Sequence, residues 1–250
     1  CDAAHSQNKP VVLDLDDNLF RLPHDHPDRI DMVYAFDLPV LLYAIREVAA
    51  VTVTTPELHA EIIKYNPNVL VLPNYLDDAL WTMKPVKMTR TNKLVRLLFM
   101  GSKTHQPDLL MIRDALIDIA RKYREKVHFT FFGPEGIREI DEFSSVENIA
   151  ITTYDYARFI SKTQNLKADI GIAPLKDSTF NRCKSPIKYF EYAAMGLPGV
   201  FSNIPPFISV IKDGENGFLA ETREEWKEKL SRLIDSQLER KRMLTNAQED

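Results

Sequence analysis

From Asn181 to Gly199 the chain reads Asn-Arg-Cys-Lys-Ser-Pro-Ile-Lys-Tyr-Phe-Glu-Tyr-Ala-Ala-Met-Gly-Leu-Pro-Gly, with its reactive side chains in the first half. Lys184 and Lys188 are separated by one helical turn, and Glu191 follows Lys188 by another turn, on a neighbouring face. Ser185 suits a helix N-cap, Pro186 suits the first helical position, where a missing N–H costs nothing, and Gly196 suits a helix stop. A helix start that carries two lysines attracts anions, because its free N–H groups and the positive end of its dipole both favour negative charge. A phosphate held there, with a hydroxyl-rich group near the carboxylate, describes a nucleotide or nucleotide-sugar. The same residues also describe an ordinary strand–helix connection with solvated lysines, and the stretch alone does not separate the two.

A second cluster, Asp14-Leu15-Asp16-Asp17-Asn18, follows the apolar run Val11-Val12-Leu13. The carboxyl edge of a strand is where α/β proteins place chemistry. The cluster resembles the first motif of haloacid-dehalogenase-type phosphatases, in which a DxD pair supplies nucleophile and acid/base around Mg²⁺. Asp14 and Asp16 would take those roles. Other parts of that motif set are missing. Asn18 stands where a threonine is usual, and the later apolar runs 127–132 and 168–175 lead into Gly133-Pro134 and Pro174-Leu175 rather than an acidic pair. With Asp177 alone beyond them, the cation would be short of ligands. His24 and His26, in the polar stretch 21–31, read as loop residues, so no metal site is expected.

These residues need strands and helices to hold them in place. Short apolar runs at 11–13, 51–54, 69–72, 94–100, 127–132, 149–152, 168–175, 199–202 and 216–219 predict strands. Helical patterns fall between them at 32–48 (with a break at Pro39), 55–65, 108–123, 137–143, 154–165 and 223–234. Thr55-Pro56 is a capped helix start, Trp226 lies on the apolar side of the 223–234 helix, and the charged tail from Asp235 reads as helix. Strands alternating with helices imply a mostly parallel α/β sheet covered on both faces. Gly101-Ser102, directly after one strand and before a helix, is a phosphate-approach geometry. Lys84, Pro85, Lys87, Arg90 and Lys93 break the apolar pattern between two strand series. The expected division is a domain at 1–80, a linker at 81–93 and a second domain at 94–250.

The bulk properties set the outer limits. A net charge of −4 over 250 residues argues against a general nucleic-acid binder. Cys1 and Cys183 are too few for a disulfide framework, which suits a reducing compartment. No apolar run reaches the roughly 18 residues of a membrane span. The sequence opens at Cys1 shortly before a strand, without a start methionine, and is read as a fragment or processed product.

From about residue 94 to 234 the chain resembles the donor-binding C-terminal domain of GT-B glycosyltransferases of the large retaining class (family GT4, glycosyl transferases group 1). The resemblance is carried by Phe99-Met100-Gly101-Ser102 with Thr104-His105 and Asp108-Leu109, by Phe131-Phe132-Gly133, and by Ala168-Asp169-Ile170-Gly171-Ile172-Ala173-Pro174-Leu175. Lys184-Ser185-Pro186-Ile187-Lys188-Tyr189-Phe190-Glu191 and Asp213-Gly214-Glu215-Asn216-Gly217-Phe218-Leu219 complete it. The first part, through 14–20, Thr52-Val53-Thr54-Thr55-Pro56 and Val71-Leu72-Pro73-Asn74, is similar to the last portion of that family's N-terminal domain in bacterial members that build surface polysaccharides. The earlier βα units of that domain have no counterpart here. Of the family's usual pair of glutamates Glu191 matches the second, while Cys183 stands at the first.

The resemblance implies a Rossmann-like GT-B C-terminal domain plus a partial N-terminal α/β domain. It implies retaining transfer of a hexosyl group from a nucleoside-diphosphate sugar to a polysaccharide or glycolipid acceptor, with no cofactor and no metal required. Glu191 would bind the ribose hydroxyls. The backbone N–H groups over the span Ser185 to Ile187, in which Pro186 has none of its own, would hold the diphosphate, with Lys184 and Lys188 neutralising it. Gly101 and Ser102 would let a loop approach the donor, with His105 beside them. Asn181 would face the sugar, and Gly133 and Pro134 would border the base. Asp16 and Asp17 would face the cleft from the acceptor side and, with Lys188, form the catalytic set. Implied partners are the nucleotide-sugar and a saccharide or lipid-linked acceptor. Peripheral membrane association and a homo-oligomer are left open. The expected location is the cytoplasm, including the inner face of the membrane. The competing readings are the Mg²⁺ phosphatase on Asp14 and Asp16 and a fragment that binds nucleotide without turnover.

Overall fold

Apolar runs too short for helices pair here as strands. In the computed structural model, which describes residues 4, 6–85, 94–152 and 155–249, Val12–Leu15 (β1), Ala50–Val53 (β2) and Val69–Val71 (β3) form a parallel sheet in the order β1-β2-β3. Val95–Met100 (β4), Val127–Phe132 (β5), Ser145–Ile149 (β6), Ile170–Ala173 (β7), Gly199–Ser202 (β8) and Phe218–Ala220 (β9) form a second. Its order is β6-β5-β4-β7-β8-β9, again all parallel. The helices are Pro27–Ile30 (α1), Leu38–Glu47 (α2), Pro56–Ile62 (α3), Gln106–Met111 (α4), Arg113–Tyr123 (α5), Tyr156–Gln164 (α6), Thr179–Arg182 (α7), Ile187–Met195 (α8), Pro205–Ile208 (α9), Arg223–Asp235 (α10) and Gln237–Glu249 (α11).

The chain divides into two compact units. One comprises the chain up to Tyr75 together with Asp177–Ser185, and the other Leu76–Lys176 with everything from Pro186 onward. The expected linker at 81–93 lies outside the described residues from 86 on, as do Cys1 and Tyr154.

In the first unit Ile45 of α2, Leu58 and Ile62 of α3, and Val51, Val53 and Val69 of the sheet bury one another, with Cys183 among them. Thr55 starts α3 as the sequence predicts: its hydroxyl accepts the Leu58 N–H, and Pro56 sits at a position that needs no donor.

In the second unit β4, β5, β7 and β8 are almost continuously buried, as strands covered on both faces must be. Successive side chains point to opposite faces. Leu97, Phe99, Phe129 and Phe131 meet Leu116 and Ile119 of α5 and Trp226 and Leu230 of α10. Leu98, Met100 and Phe132 meet Tyr189 and Tyr192 of α8 on the other face. A Thr222–Glu225 capping box starts α10.

Some elements lie elsewhere than expected. The edge strand is Ser145–Ile149 rather than 149–152, and it is largely exposed. The 32–48 pattern becomes helix only from Leu38, with Pro39 in its first turn instead of its middle. Helix α8 starts at Ile187 with Pro186 at the cap position and no side chain capping it. Ser185 is therefore not the cap, and its hydroxyl instead accepts from Asn74 Nδ2 at 3.2 Å.

Candidate functional site

The strand order of the second sheet reverses direction between β4 and β7. In open parallel sheets the crevice at the carboxyl ends beside such a reversal is where ligands sit. Gly101 follows β4 there, and α8 enters the same edge. Because α8 leads down into β8, its N-terminus lies at the carboxyl end of the sheet and its C-terminus at the other. Tyr192 fixes this placement. Its hydroxyl donates to Ile172 O at 2.9 Å and Leu98 O at 3.3 Å, one carbonyl on each side of the reversal. Burial pushes its phenol well above the ordinary value, and the Glu191 carboxylate adds to the shift. Gly171 makes room for the ring, since a Cβ at that position would lie 2.4 Å from it.

Two side chains of α8 form a close pair. Lys188 Nζ lies 2.5 Å from Glu191 Oε2, and the Glu191 residue is 5% exposed. Lys188 is half-buried at the helix start. Oε1 of Glu191 has no partner among the described residues, so the carboxylate keeps an acceptor for a ligand hydroxyl.

The loops after β4 and β5 lock together beside α8. Gly101 N–H donates to Phe132 O at 3.0 Å, and Gly133 N–H donates to Ile149 O at 2.9 Å. Gly133 has φ +113°, and a Cβ there would lie 1.7 Å from Gly101 O. No other residue fits. Pro134 is buried behind it, while Ser102 is exposed and hydrogen-bonds Thr104 at 2.5 Å. His105 packs against Gly101, where an added Cβ would meet its ring and Cβ at 3.1 to 3.3 Å.

The sequence reasoning passed over Asp108 as a site residue. It is 5% exposed at the start of α4. One oxygen is 2.8 Å from His105 Nδ1, and the other accepts the Lys176 N–H at 2.8 Å, just beyond β7. A carboxylate only accepts, so His105 Nδ1 carries the proton and Nε2 is left for a ligand. Asp108 thus ties the β4 loop to the β7 loop across the reversal. The available signal was its spacing of three from His105 on a helix, which first reads as a favourable first-turn acid. Asp108→Ala would strand the His105 and Lys176 donors. A loss of about 1–3 kcal/mol in a urea titration is expected, and an unchanged midpoint would refute the tie.

The remaining residues singled out from sequence lie in the first unit, where they form their own network. Lys184 Nζ lies 3.1 and 3.2 Å from the two oxygens of Asp17 and 4.4 Å above the Phe180 ring. Asn18, almost fully buried, donates to Cys183 Sγ at 3.5 Å, and Thr55 Oγ1 donates to Cys183 O at 2.8 Å. Burial pushes the Cys183 thiol above its ordinary value, so it stays protonated at neutral pH. Asn181 is buried, its N–H held by Ser178 Oγ at 3.1 Å. Asp16 is exposed, with its carbonyl accepting from Thr54, and Asp14 accepts from Thr52 at 2.5 Å. Desolvation, then Asp28, Asp17 and Asp16, raise the Tyr34 phenol. Among the described residues no three His, Cys, Asp or Glu side chains converge to hold a metal ion, and no helix is long and apolar enough to cross a membrane.

The family model described as "Glycosyl transferases group 1" matches residues 94–236, more than half of the chain. No curated protein sequence matches the chain. Among solved structures, TarM superposes with a TM-score of 0.67 at 13% identity, over 97% of this chain and 47% of that one. HepE of Anabaena in complex with UDP and glucose gives 0.65 at 15% identity, over 99% and 68%. The pneumococcal O-GlcNAc transferase GtfA in complex with UDP and GlcNAc gives 0.62 at 14%, over 98% and 49%. The chain therefore spans about half the length of TarM and GtfA. At these identities the likeness establishes the fold, that of the GT-B glycosyltransferases.

Proposed function

Because the chain belongs to the glycosyl transferases group 1 family, we propose that it binds a nucleoside-diphosphate sugar at the carboxyl edge of the six-stranded sheet and passes the hexosyl group, with retention, to a polysaccharide or glycolipid acceptor. The observation that carries this reading is the start of α8. An uncapped helix N-terminus, a half-buried lysine and a buried glutamate with one open oxygen meet beside the strand-order reversal.

The chemistry follows from where charge develops. The bond between the anomeric carbon and the diphosphate oxygen breaks, and negative charge grows on the leaving diphosphate. The acceptor hydroxyl forms the new bond to carbon from the same face and passes its proton to the departing diphosphate oxygen. Lys188 and the first-turn N–H groups of α8 stabilise the departing charge, so no divalent cation is needed for it. Glu191 Oε1 accepts from the ribose hydroxyls. Gly101 and Gly133 bring backbone rather than side chain up to the donor, and His105 presents Nε2 to it. Lys184 is already engaged by Asp17, so the main neutralising role falls to Lys188. The UDP complexes of HepE and GtfA support a nucleoside diphosphate as the donor's leaving group.

Melting curves with UDP, GDP and EDTA test the binding step. At a hundred times Kd the bound nucleotide should add about 2.7 kcal/mol, a rise of roughly 5–10 °C for a domain of this size, without metal. Glu191→Ala should remove most of that rise. Indifference to every nucleoside diphosphate would overturn the reading.

A further inference from the structure

The end of the second sheet away from the donor crevice carries a cavity of its own, of about 240 Å³. It opens at the amino ends of the strands: Arg96 stands at the start of β4, Asp169 just before β7 and Pro198 just before β8. Its walls are strongly basic. Lys84, Arg96, Lys167, Arg240 and Lys241 face it, with Asp169 as the single carboxylate among the described residues that line it. Asp169 Oδ2 accepts the Arg96 N–H at 2.8 Å and lies 3.9 Å from Arg96 Nη1.

The guanidinium of Arg240 is the informative group. It is half-buried and makes no ion pair among the described residues. Its Nη1 donates to Leu233 O and to Ile234 O, at 3.2 Å in the second case, and so caps the end of α10. That leaves Nε and Nη2 without a partner among the described residues. Burial pushes this guanidinium below its ordinary value, with Asp169 partly offsetting the effect. Lys167 and Lys241, exposed at the rim, likewise pair with no carboxylate among the described residues. A half-buried cation whose nearest carboxylate is shared with Arg96 gains from a further counter-charge.

Two further features point the same way. Gln237, the first residue of the 13-residue helix α11, lines the cavity, which brings the positive end of that helix to it. The C-terminal carbonyls of α8 on the opposite wall are already paired. Ala193 O accepts from Gln248 Nε2 at 2.7 Å, and Ala194 O accepts from the Lys84 N–H at 2.8 Å.

We propose that this cavity is a second anion site, which takes a phosphate group carried by a small soluble molecule or by a lipid headgroup. Arg240 offers the fixed donors, Arg96 and Lys84 line the walls, and Lys167 and Lys241 draw the anion in at the mouth. The cavity is smaller than a typical site for a drug-sized ligand, roughly 300 Å³ and above, so it suits a phosphate group rather than a whole nucleotide-sugar.

Calorimetric titration of the whole chain with inorganic phosphate at low salt tests this. Lys167→Glu with Lys241→Glu, both exposed and clear of the core, should weaken binding about tenfold or more, as loss of charge-assisted contacts would. Arg240→Gln should do the same, and saturating UDP, which fills the donor crevice, should leave phosphate binding within about twofold, which separates the two sites. Pelleting with phosphatidylglycerol vesicles but not phosphatidylcholine vesicles, competed by phosphate and lost in the double variant, identifies the headgroup as source. Phosphate binding without pelleting identifies a soluble ligand. Absence of both, or phosphate binding that UDP abolishes, would overturn the proposal.

Discussion

Lys188→Ala should slow sugar transfer by about 10²–10³-fold, with a much smaller change in the apparent affinity for the donor. In the proposed reaction Lys188 sits where the departing diphosphate gains charge, and an interaction that strengthens as charge develops lowers the barrier more than it tightens the ground state. Its pairing with Glu191 complicates the experiment. Removing the lysine leaves a nearly buried carboxylate without its cation, which costs stability as well as rate. The variant's melting curve must therefore be recorded first and turnover measured well below its transition. Lys188→Arg keeps the charge but replaces a compact ammonium by a planar fork, so partial activity is the expected outcome. A Lys188→Ala enzyme that turns over within about threefold of the parent would remove Lys188 from the mechanism.

Gly133→Ala should be the most damaging of the glycine-to-alanine changes. The substituent would overlap Gly101 O at 1.7 Å, and the backbone there has φ +113°. Relief requires the loops after β4 and β5 to part, which breaks the Gly101 N–H bond to Phe132 O. A loss above about 3 kcal/mol is expected in urea titration. Gly214→Ala is the proper control. It also has positive φ, at +82°, but a Cβ there meets only Phe218, at 3.8 Å, so the cost should be about 1 kcal/mol. Equal losses in the two variants would show that backbone strain alone matters and that the close approach of the loops does not.

Local chemistry was legible in the sequence. Thr55-Pro56 starts its helix as written, Gly196 ends α8 in the left-handed conformation, and the buried strands announce themselves as apolar runs. What failed was decided at long range. Ser185 looks like a cap until Asn74, far away in sequence, takes its hydroxyl. The edge strand Ser145–Ile149 has a polar exposed face, so the apolar Ile149-Ala150-Ile151 attracted the prediction instead. Strand order depends on pairings that no local pattern encodes, yet it is the reversal between β4 and β7 that singles out the crevice. Asp108 was invisible for a related reason. A first-turn acid is ordinary, and its importance appears only when β7 delivers the Lys176 N–H to it. Lys184 and Lys188 are equivalent by spacing alone, and the Asp17 partner of the first distinguishes them.

The nine residues from Asp177 to Ser185 belong with the chain up to Tyr75 rather than with their sequence neighbours. Cys183 is part of that unit's core, and Thr55 holds its carbonyl. The order of synthesis therefore conflicts with the order of assembly. Domains commonly fold as they emerge, N-terminal first, but this one emerges with a piece missing. Until translation passes Ser185, Ile45, Val53 and Leu58 lack Cys183 as a packing partner.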